Sequence, residues 1–299
     1  MKRTTVLTIT EQERARRLMK KRRTQMKTMI KQLGNQEAFT IVELLTVMSV
    51  IILLLALLVP GMQRVKRYAT KVEQVNQFHA IEVALEMFNT EWDGYPPSHK
   101  SLDNFCGSMK LCEAMIGLTC DGYKPMSIFE VAIDLPKYVN TIDKSDWGAY
   151  LKPDQANAYN LKDIYPAGDF SSMFSGVNPD KIYVLCDSYR RFNTSKVTGK
   201  TIGMPILYYK ANSSNTASYE WTNFNKTIYN CYDNSPLVDI PTPLSGTPHP
   251  LLLDWAWFYT RTINKNSTGS IRPYRSDTFL LQSAGWDGLY GTMDDVFNF

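Results

Sequence analysis

The sequence predicts an α+β protein: a long N-terminal helix, first membrane-spanning and then amphipathic, carrying a small antiparallel β-sheet head extended by a long loop-rich insertion. Three observations lead there. The sixteen residues Leu44–Val59 carry no charge. Beyond them, apolar residues recur every three or four positions as far as Trp92, the period of a helix with one buried face. Further on, runs rich in β-branched and aromatic residues lie among Gly, Pro, Asn and Asp, as strands do: Lys181–Cys186, Met204–Tyr209 and Thr278–Gln282.

A chain of 299 residues has room for one large domain or two ordinary ones. With 21% charged and 44% apolar residues it is neither mostly disordered nor a polytopic membrane protein. The net charge of +4 hides an asymmetry. Residues 1–38 hold eleven Lys/Arg against three Glu, or +8, while the remainder holds 22 basic and 26 acidic residues, or −4. The basic character therefore belongs to the N-terminal segment, and a molecule-wide basic surface for nucleic acid is not supported.

The elements follow in chain order. Residues 1–38 form a basic leader, within which Met19, Met26 and Met29 are alternative starts. Residues 39–62 form the membrane helix, since the apolar stretch from Phe39 reaches the ~20 residues that a span requires. It reads as a retained single-pass anchor, because Leu57-Leu58-Val59-Pro60-Gly61 offers no small-residue cleavage site and no Cys stands ready for a lipid. The basic leader places the preceding segment on the cytoplasmic side. Glu43 is the odd residue there: a carboxylate in a membrane helix is costly, so it either snorkels to the interface or pairs with a positive charge in the bilayer.

Residues 63–95 form the amphipathic stalk. Val65, Tyr68, Val72, Val75, Phe78, Ile81, Leu85, Phe88 and Trp92 define its apolar face, with Lys66, Lys71, Glu73, Gln74 and Glu82 opposite and His79 as a packing residue at the edge. Pro60 removes one backbone hydrogen bond and bends or locally melts the helix. The stretch Trp92-Asp93-Gly94-Tyr95-Pro96-Pro97 ends it, Gly94 supplying a left-handed turn. Residues 96–299 form the head. Its stretch 98–180 shows little periodicity. Two of Cys106, Cys112 and Cys120 are candidates for a disulfide if the head lies outside the cytoplasm, whereas Cys186 and Cys231 read as core residues.

Ala38-Phe39-Thr40-Ile41-Val42-Glu43-Leu44-Leu45 resembles the cleavage and methylation motif of type IV prepilins and type II secretion pseudopilins. Ala38 stands where those families usually have Gly. The resemblance implies the type IV pilin fold and cleavage by a prepilin peptidase between Ala38 and Phe39, with methylation of the new Phe39 amino group. It implies that Glu43 pairs with that amino group of a neighbouring subunit during assembly, and that Pro60 is the proline such stalks commonly carry. The implied partners are other pilin-like subunits, the peptidase, an inner-membrane assembly platform and membrane lipid. The implied location is the bacterial inner membrane with the head in the periplasm.

Near the C-terminus, Asp287, Asp294 and Asp295 lie within nine residues, separated by Gly288 and Gly291. Glycines let such a loop turn tightly, so that carboxylate and carbonyl oxygens converge. Calcium takes six to eight hard oxygens, and a solvent-facing acidic turn is the other reading. The segment Ser283, Gly285, Asp287, Gly288, Asp294, Asp295 resembles the calcium-binding C-terminal loop of the major pseudopilin. By that resemblance the calcium ligands are Asp287, Asp294 and Asp295, with the Leu289 carbonyl as a main-chain ligand.

No catalytic constellation emerges. His79, His99 and His249 form no metal-protease motif, and Gly199-Lys200-Thr201 fails as a phosphate loop because position 194 is Thr194. Leu251–Trp257 reads as a strand-like aromatic run. The chain is thus expected to be no enzyme but a pilin-like subunit of a type II secretion pseudopilus. The alternatives are a minor type IV pilin for adhesion or DNA uptake, and a membrane-anchored binding protein.

Overall fold

The structure, a computed structural model, describes residues 4–33, 40–100, 105–117, 148–152, 156–165, 182–190, 193–194, 201–218, 226–243, 246–266 and 271–299. The chain divides into two units, Met1–Gln63 and Arg64–Phe299. The fold is the predicted α+β arrangement: a long N-terminal apolar helix, a small antiparallel sheet and loop-rich regions between.

The first unit contains helix α1 (Thr4–Leu33) and the start of helix α2 (Ile41–Trp92). The helix runs through Pro60 and Gly61 without interruption, so the local melting expected at Pro60 does not occur. Proline deletes one donor, and the turns on either side keep theirs. At the other end Asp93, not Gly94, takes the left-handed backbone (φ 60°), its N–H bonded to the Asn89 carbonyl at 2.9 Å. Asp tolerates that region because its short side chain bonds locally.

In the second unit the buried face of α2 is Gln74, Gln77, Phe78, Ile81, Ala84, Leu85 and Phe88. This corrects the predicted stripe. Val65, Tyr68, Val72 and Val75 are exposed at 69, 71, 43 and 49%, whereas Gln74, placed on the polar side, is buried. The reason is a hydrogen-bonded join between helix and sheet. Gln74 Oε1 accepts from the Ser188 N–H (2.7 Å), and Gln77 Nε2 donates to the Cys186 carbonyl (2.8 Å) while its Oε1 accepts from the Ser188 hydroxyl (3.0 Å). Two glutamines thereby satisfy main-chain groups that an aliphatic face would leave orphaned. His79 is likewise no packing residue: its side chain is 78% exposed, 3.7 Å from Glu82.

Strand β1 (Ala158–Asn160) leads into a short helix, α4 (Leu161–Ile164), and pairs antiparallel with β2 (Tyr183–Leu185). A second two-stranded pair joins β3 (Asn193–Thr194) and β4 (Thr201–Ile202). The main sheet has the order β5-β6-β7: β5 (Leu207–Lys210) and β7 (Val296–Phe297) flank the fully buried β6 (Phe279–Ser283). All three predicted strands exist, but Lys181–Cys186 contributes to a separate pair, joined to the segment before β5 by a bridge from Cys186 to Pro205.

Helix α3 (Gly107–Ile116), inside the stretch without periodicity, is buried on every side. Its start is pinned to β5: a Cβ on Gly107 would stand 2.2 Å from the Tyr208 carbonyl oxygen, and the Ser108 hydroxyl donates to the Ile206 carbonyl at 2.7 Å. Cys106, Cys186 and Cys231 are buried free thiols and Cys112 is buried too, so no bridge forms from Cys106. Cys120 lies outside the described residues.

The run Leu251–Trp257 is helical, not a strand. After a 3₁₀ turn (Cys231–Asn234) and helix α5 (Ser235–Val238) come α6 (Pro250–Leu253) and α7 (Ala256–Thr262). Pro250 opens α6, where its missing N–H is harmless, and the Asp254 carboxylate accepts from the Ala256 N–H at 3.0 Å. Within the run Leu251 is buried and Leu252, Trp255 and Trp257 are half-buried against the core, while Leu253 is exposed; Phe258 and Tyr259, just after it, are buried.

Candidate functional site: the capped helix start and the acidic loop

The start of α2 is a capping box. Thr40 precedes the first helical residue, and Glu43 Oε2 accepts from the Thr40 N–H (2.9 Å) and from its hydroxyl (2.8 Å). The Thr40 hydroxyl oxygen in turn lies 3.2 Å from the Glu43 N–H. This reciprocal exchange satisfies backbone groups that a helix N-terminus leaves unpaired. The signal was legible as Thr-x-x-Glu, and it gives Glu43 a local role beside any role between subunits. Ala38 and Phe39 lie outside the described residues. Among the described residues one helix, α2, is long and apolar enough to cross a membrane, and no residue of its apolar window is buried.

In the second unit, β6 ends at Ser283 and the chain turns through the acidic loop to β7. Gly285 (φ 68°) begins the turn, and a Cβ there would lie 2.3 Å from the Asp294 carbonyl oxygen. Gly291 (φ 94°) lets the loop pass α6, where a Cβ would meet the Leu251 nitrogen at 2.4 Å. Both positions therefore demand glycine on two counts.

Leu289, Asp294 and Asp295 meet at Thr292, a residue the sequence does not single out, and Asp287 joins them through its N–H to Asp294. The Thr292 hydroxyl oxygen lies 2.5 Å from Asp294 Oδ1, 3.3 Å from Asp295 Oδ1 and 3.4 Å from the Leu289 carbonyl oxygen. Asp294 Oδ2 accepts from the Asp287 N–H at 3.0 Å, and Asp287 Oδ1 from the Leu289 N–H at 2.8 Å. Asp295 also turns inward, Oδ2 accepting from Gln282 Nε2 (2.6 Å) and the Gly291 N–H (2.9 Å).

The electrostatics are those of crowded negative charge. Burial, then the charge of Asp294, pushes the Asp287 carboxyl up against the pull of the Leu289 N–H. Burial pushes Asp294 up too, but bonds from Thr292 and the Asp287 N–H outweigh it and hold Asp294 below the usual range. Burial raises Asp295 to about 7. One hydroxyl proton cannot serve three acceptor oxygens, so the loop is rich in hard oxygens and short of positive charge. Hard oxygens of this kind are the donors that calcium takes. Among the described residues no group of three His, Cys, Asp or Glu side chains could hold a metal ion. A cation here would therefore draw on main-chain and hydroxyl oxygens as well as carboxylates.

A distant residue steadies the loop. The Ser283 hydroxyl donates to Asp187 Oδ2 (2.8 Å), and its oxygen lies 3.2 Å from the Gly285 N–H. Asp187 is fully buried, and burial raises its carboxyl to about 7, against bonds from Ser283, Met204 and Tyr189. Asp233, buried beside the Ser98 hydroxyl, is raised to about 7 for the same reason. Between the ordinary aspartate value of 3.8 and about 7 the folded unit holds these two protons and the unfolded chain does not. Stability must then fall as pH rises through that window, by at most about 1.4 kcal/mol per proton per pH unit. The thermal midpoint of the Arg64–Phe299 unit is expected to be higher near pH 5 than near pH 8. Asp187→Asn with Asp233→Asn should reduce that slope, Asp295 keeping the remainder, and an unchanged slope in calorimetry would overturn the assignment.

The chain is 24% identical to Type II secretion system core protein G of Escherichia coli (strain K12) over 140 residues, which are 46% of this chain and 86% of that protein. This is weak homology to a type II secretion pseudopilin, and the long apolar N-terminal helix fits it. No family profile matches the chain, and no solved structure matches it significantly.

Proposed function

We propose that this chain is a structural subunit of a type II secretion pseudopilus, anchored by one helix in the bacterial inner membrane with its head in the periplasm. A prepilin peptidase cuts between Ala38 and Phe39 and methylates the Phe39 amino group. The inner-membrane assembly platform then passes the mature chain to a filament in which apolar helices bundle and Glu43 meets a neighbour's amino group. Calcium supplies the positive charge that the oxygens of Asp287, Leu289, Asp294 and Asp295 lack, and so fixes the C-terminal loop. The role is assembly rather than catalysis.

The observation that carries this reading is the similarity that spans 86% of core protein G. The face of α2 supports it. Val65, Tyr68, Val72 and Val75 keep the helical spacing of a packing stripe, yet the chain's own head leaves them exposed. Packing against the helices of neighbouring subunits would bury that stripe.

Intact and peptide mass spectrometry of the protein from its own membranes tests the reading. A mature chain that begins at N-methylated Phe39 is the expected result. A chain that keeps residues before Phe39 would remove the basis for filament assembly and favour an anchored binding protein.

A further inference from the structure

We propose that helix α1 (Thr4–Leu33) is a membrane-surface helix that binds anionic phospholipid headgroups beside the point where α2 enters the bilayer. The inference rests on reading the apolar start of α2 as a membrane span. It concerns the unprocessed chain, before any cut at Phe39.

The helix has two faces. At about 100° per residue, Ala15, Leu18, Met19, Met26 and Met29 fall within one sector of roughly 100°. Leu18, Met19, Met26 and Met29 are exposed at 58, 72, 63 and 67%, so no described residue covers this face. The opposite side carries Arg17, Lys20 and Lys27, flanked by Arg14, Arg16, Lys21 and Arg23. Residues 12–29 hold eight basic residues and one acidic residue, Glu13. Arg22 falls at the apolar sector, where its long stem can lie along the face while the guanidinium reaches the headgroups.

An apolar face with cationic flanks is built to lie in a membrane interface, apolar side down. A second copy of the helix on the same face would bring two dense cationic surfaces together, which is repulsive. A nucleic acid would satisfy the cations but leave the methionines in water. Connectivity settles the choice. Leu33 and Ile41 are joined by the seven residues 34–40, which at ~3.5 Å each reach about 25 Å at most. The helix is therefore tethered within one bilayer thickness of the α2 start, where anionic headgroups are the nearest complement to its charge.

The methionines are native probes. The full unprocessed chain is reconstituted in vesicles of about one-third phosphatidylglycerol in phosphatidylcholine, and in phosphatidylcholine alone. Hydrogen peroxide oxidation of each Met is then followed by peptide mass spectrometry. Met48, inside the apolar run, must be protected in both vesicles; if it is oxidised, the membrane-span reading has failed rather than this one. Met293, exposed at 77% on the acidic loop, is the accessible reference.

Met19, Met26 and Met29 are expected to oxidise about tenfold more slowly in the anionic vesicles than in the neutral ones, relative to Met293. A membrane-surface cation contributes roughly fivefold in affinity. The combination Arg16→Gln, Lys20→Gln, Arg23→Gln and Lys27→Gln should therefore abolish the protection while leaving Met48 unchanged. Full oxidation of the three methionines in anionic vesicles would overturn the proposal. So would protection that is equal in neutral vesicles or insensitive to the four substitutions, since the apolar face would then be covered by something other than anionic lipid.

Discussion

Chelation of calcium is expected to lower the thermal midpoint of the Arg64–Phe299 unit by about 5–10 °C. A ligand held at a hundred times its dissociation constant stabilises the folded state by about 2.7 kcal/mol, and a unit of this size shifts by ~2–4 °C per kcal/mol. The physical reason lies at Thr292, whose hydroxyl oxygen has three acceptor oxygens within 3.4 Å and one proton to offer. Without a cation, Asp287 and Asp294 repel each other across the Gly285 turn. With one, that repulsion becomes shared attraction. Because Asp295 is raised to about 7 by burial, its proton must leave when a cation binds. Calcium affinity should therefore rise as pH climbs through about 7. Asp294→Ala should erase the difference between calcium-loaded and chelated protein in a thermal scan. An unchanged midpoint on chelation of the natural chain would return the loop to a plain acidic turn.

What the sequence revealed about these elements depended on how local each signal is. The apolar run, the carboxylate at Glu43 and the Asp–Gly loop lie in contiguous residues whose spacing can be counted. The buried face of α2 could not be counted in the same way. Gln74 and Gln77 look like solvent-facing residues until Cys186 and Ser188 arrive from more than a hundred positions away to take their hydrogen bonds. Helix α3 is buried all round, Ser108, Lys110 and Glu113 included, so no exposed polar stripe marks its period. In Leu251–Trp257 the aromatic content suggested a strand, but Pro250 and the Asp254 cap decide for helix. Thr292 and Asp187 carry no motif. Their parts in the acidic loop come from the fold, which sets one among three acceptors and the other behind Ser283.

Replacing Glu43 separates two roles that one carboxylate holds. As the fourth residue of a capping box it bonds to the Thr40 N–H and hydroxyl, a contribution of about 1 kcal/mol to the helix start. As an ion in a membrane helix it needs a positive partner, and an unpaired charge there costs about 2.5–3.5 kcal/mol by insertion scales. Glutamine fills the capping position nearly as well as glutamate but has no charge. If Glu43 serves only the cap, Glu43→Gln should incorporate into filaments at the natural level. If it neutralises a neighbour's amino group, Glu43→Gln and Glu43→Ala should both fail, falling by about a hundredfold as the loss of a 2.5–3.5 kcal/mol pairing requires. Thr40→Ala makes the converse test, since it removes the hydroxyl and keeps the charge, and it should reduce incorporation far less. Quantitative cross-linking of subunits in membranes reads all three variants, with carbonate extraction to show that each is still inserted. The expected order is natural chain, then Thr40→Ala, then both Glu43 variants together. Normal incorporation of Glu43→Gln would leave the helix cap as the whole role of this residue.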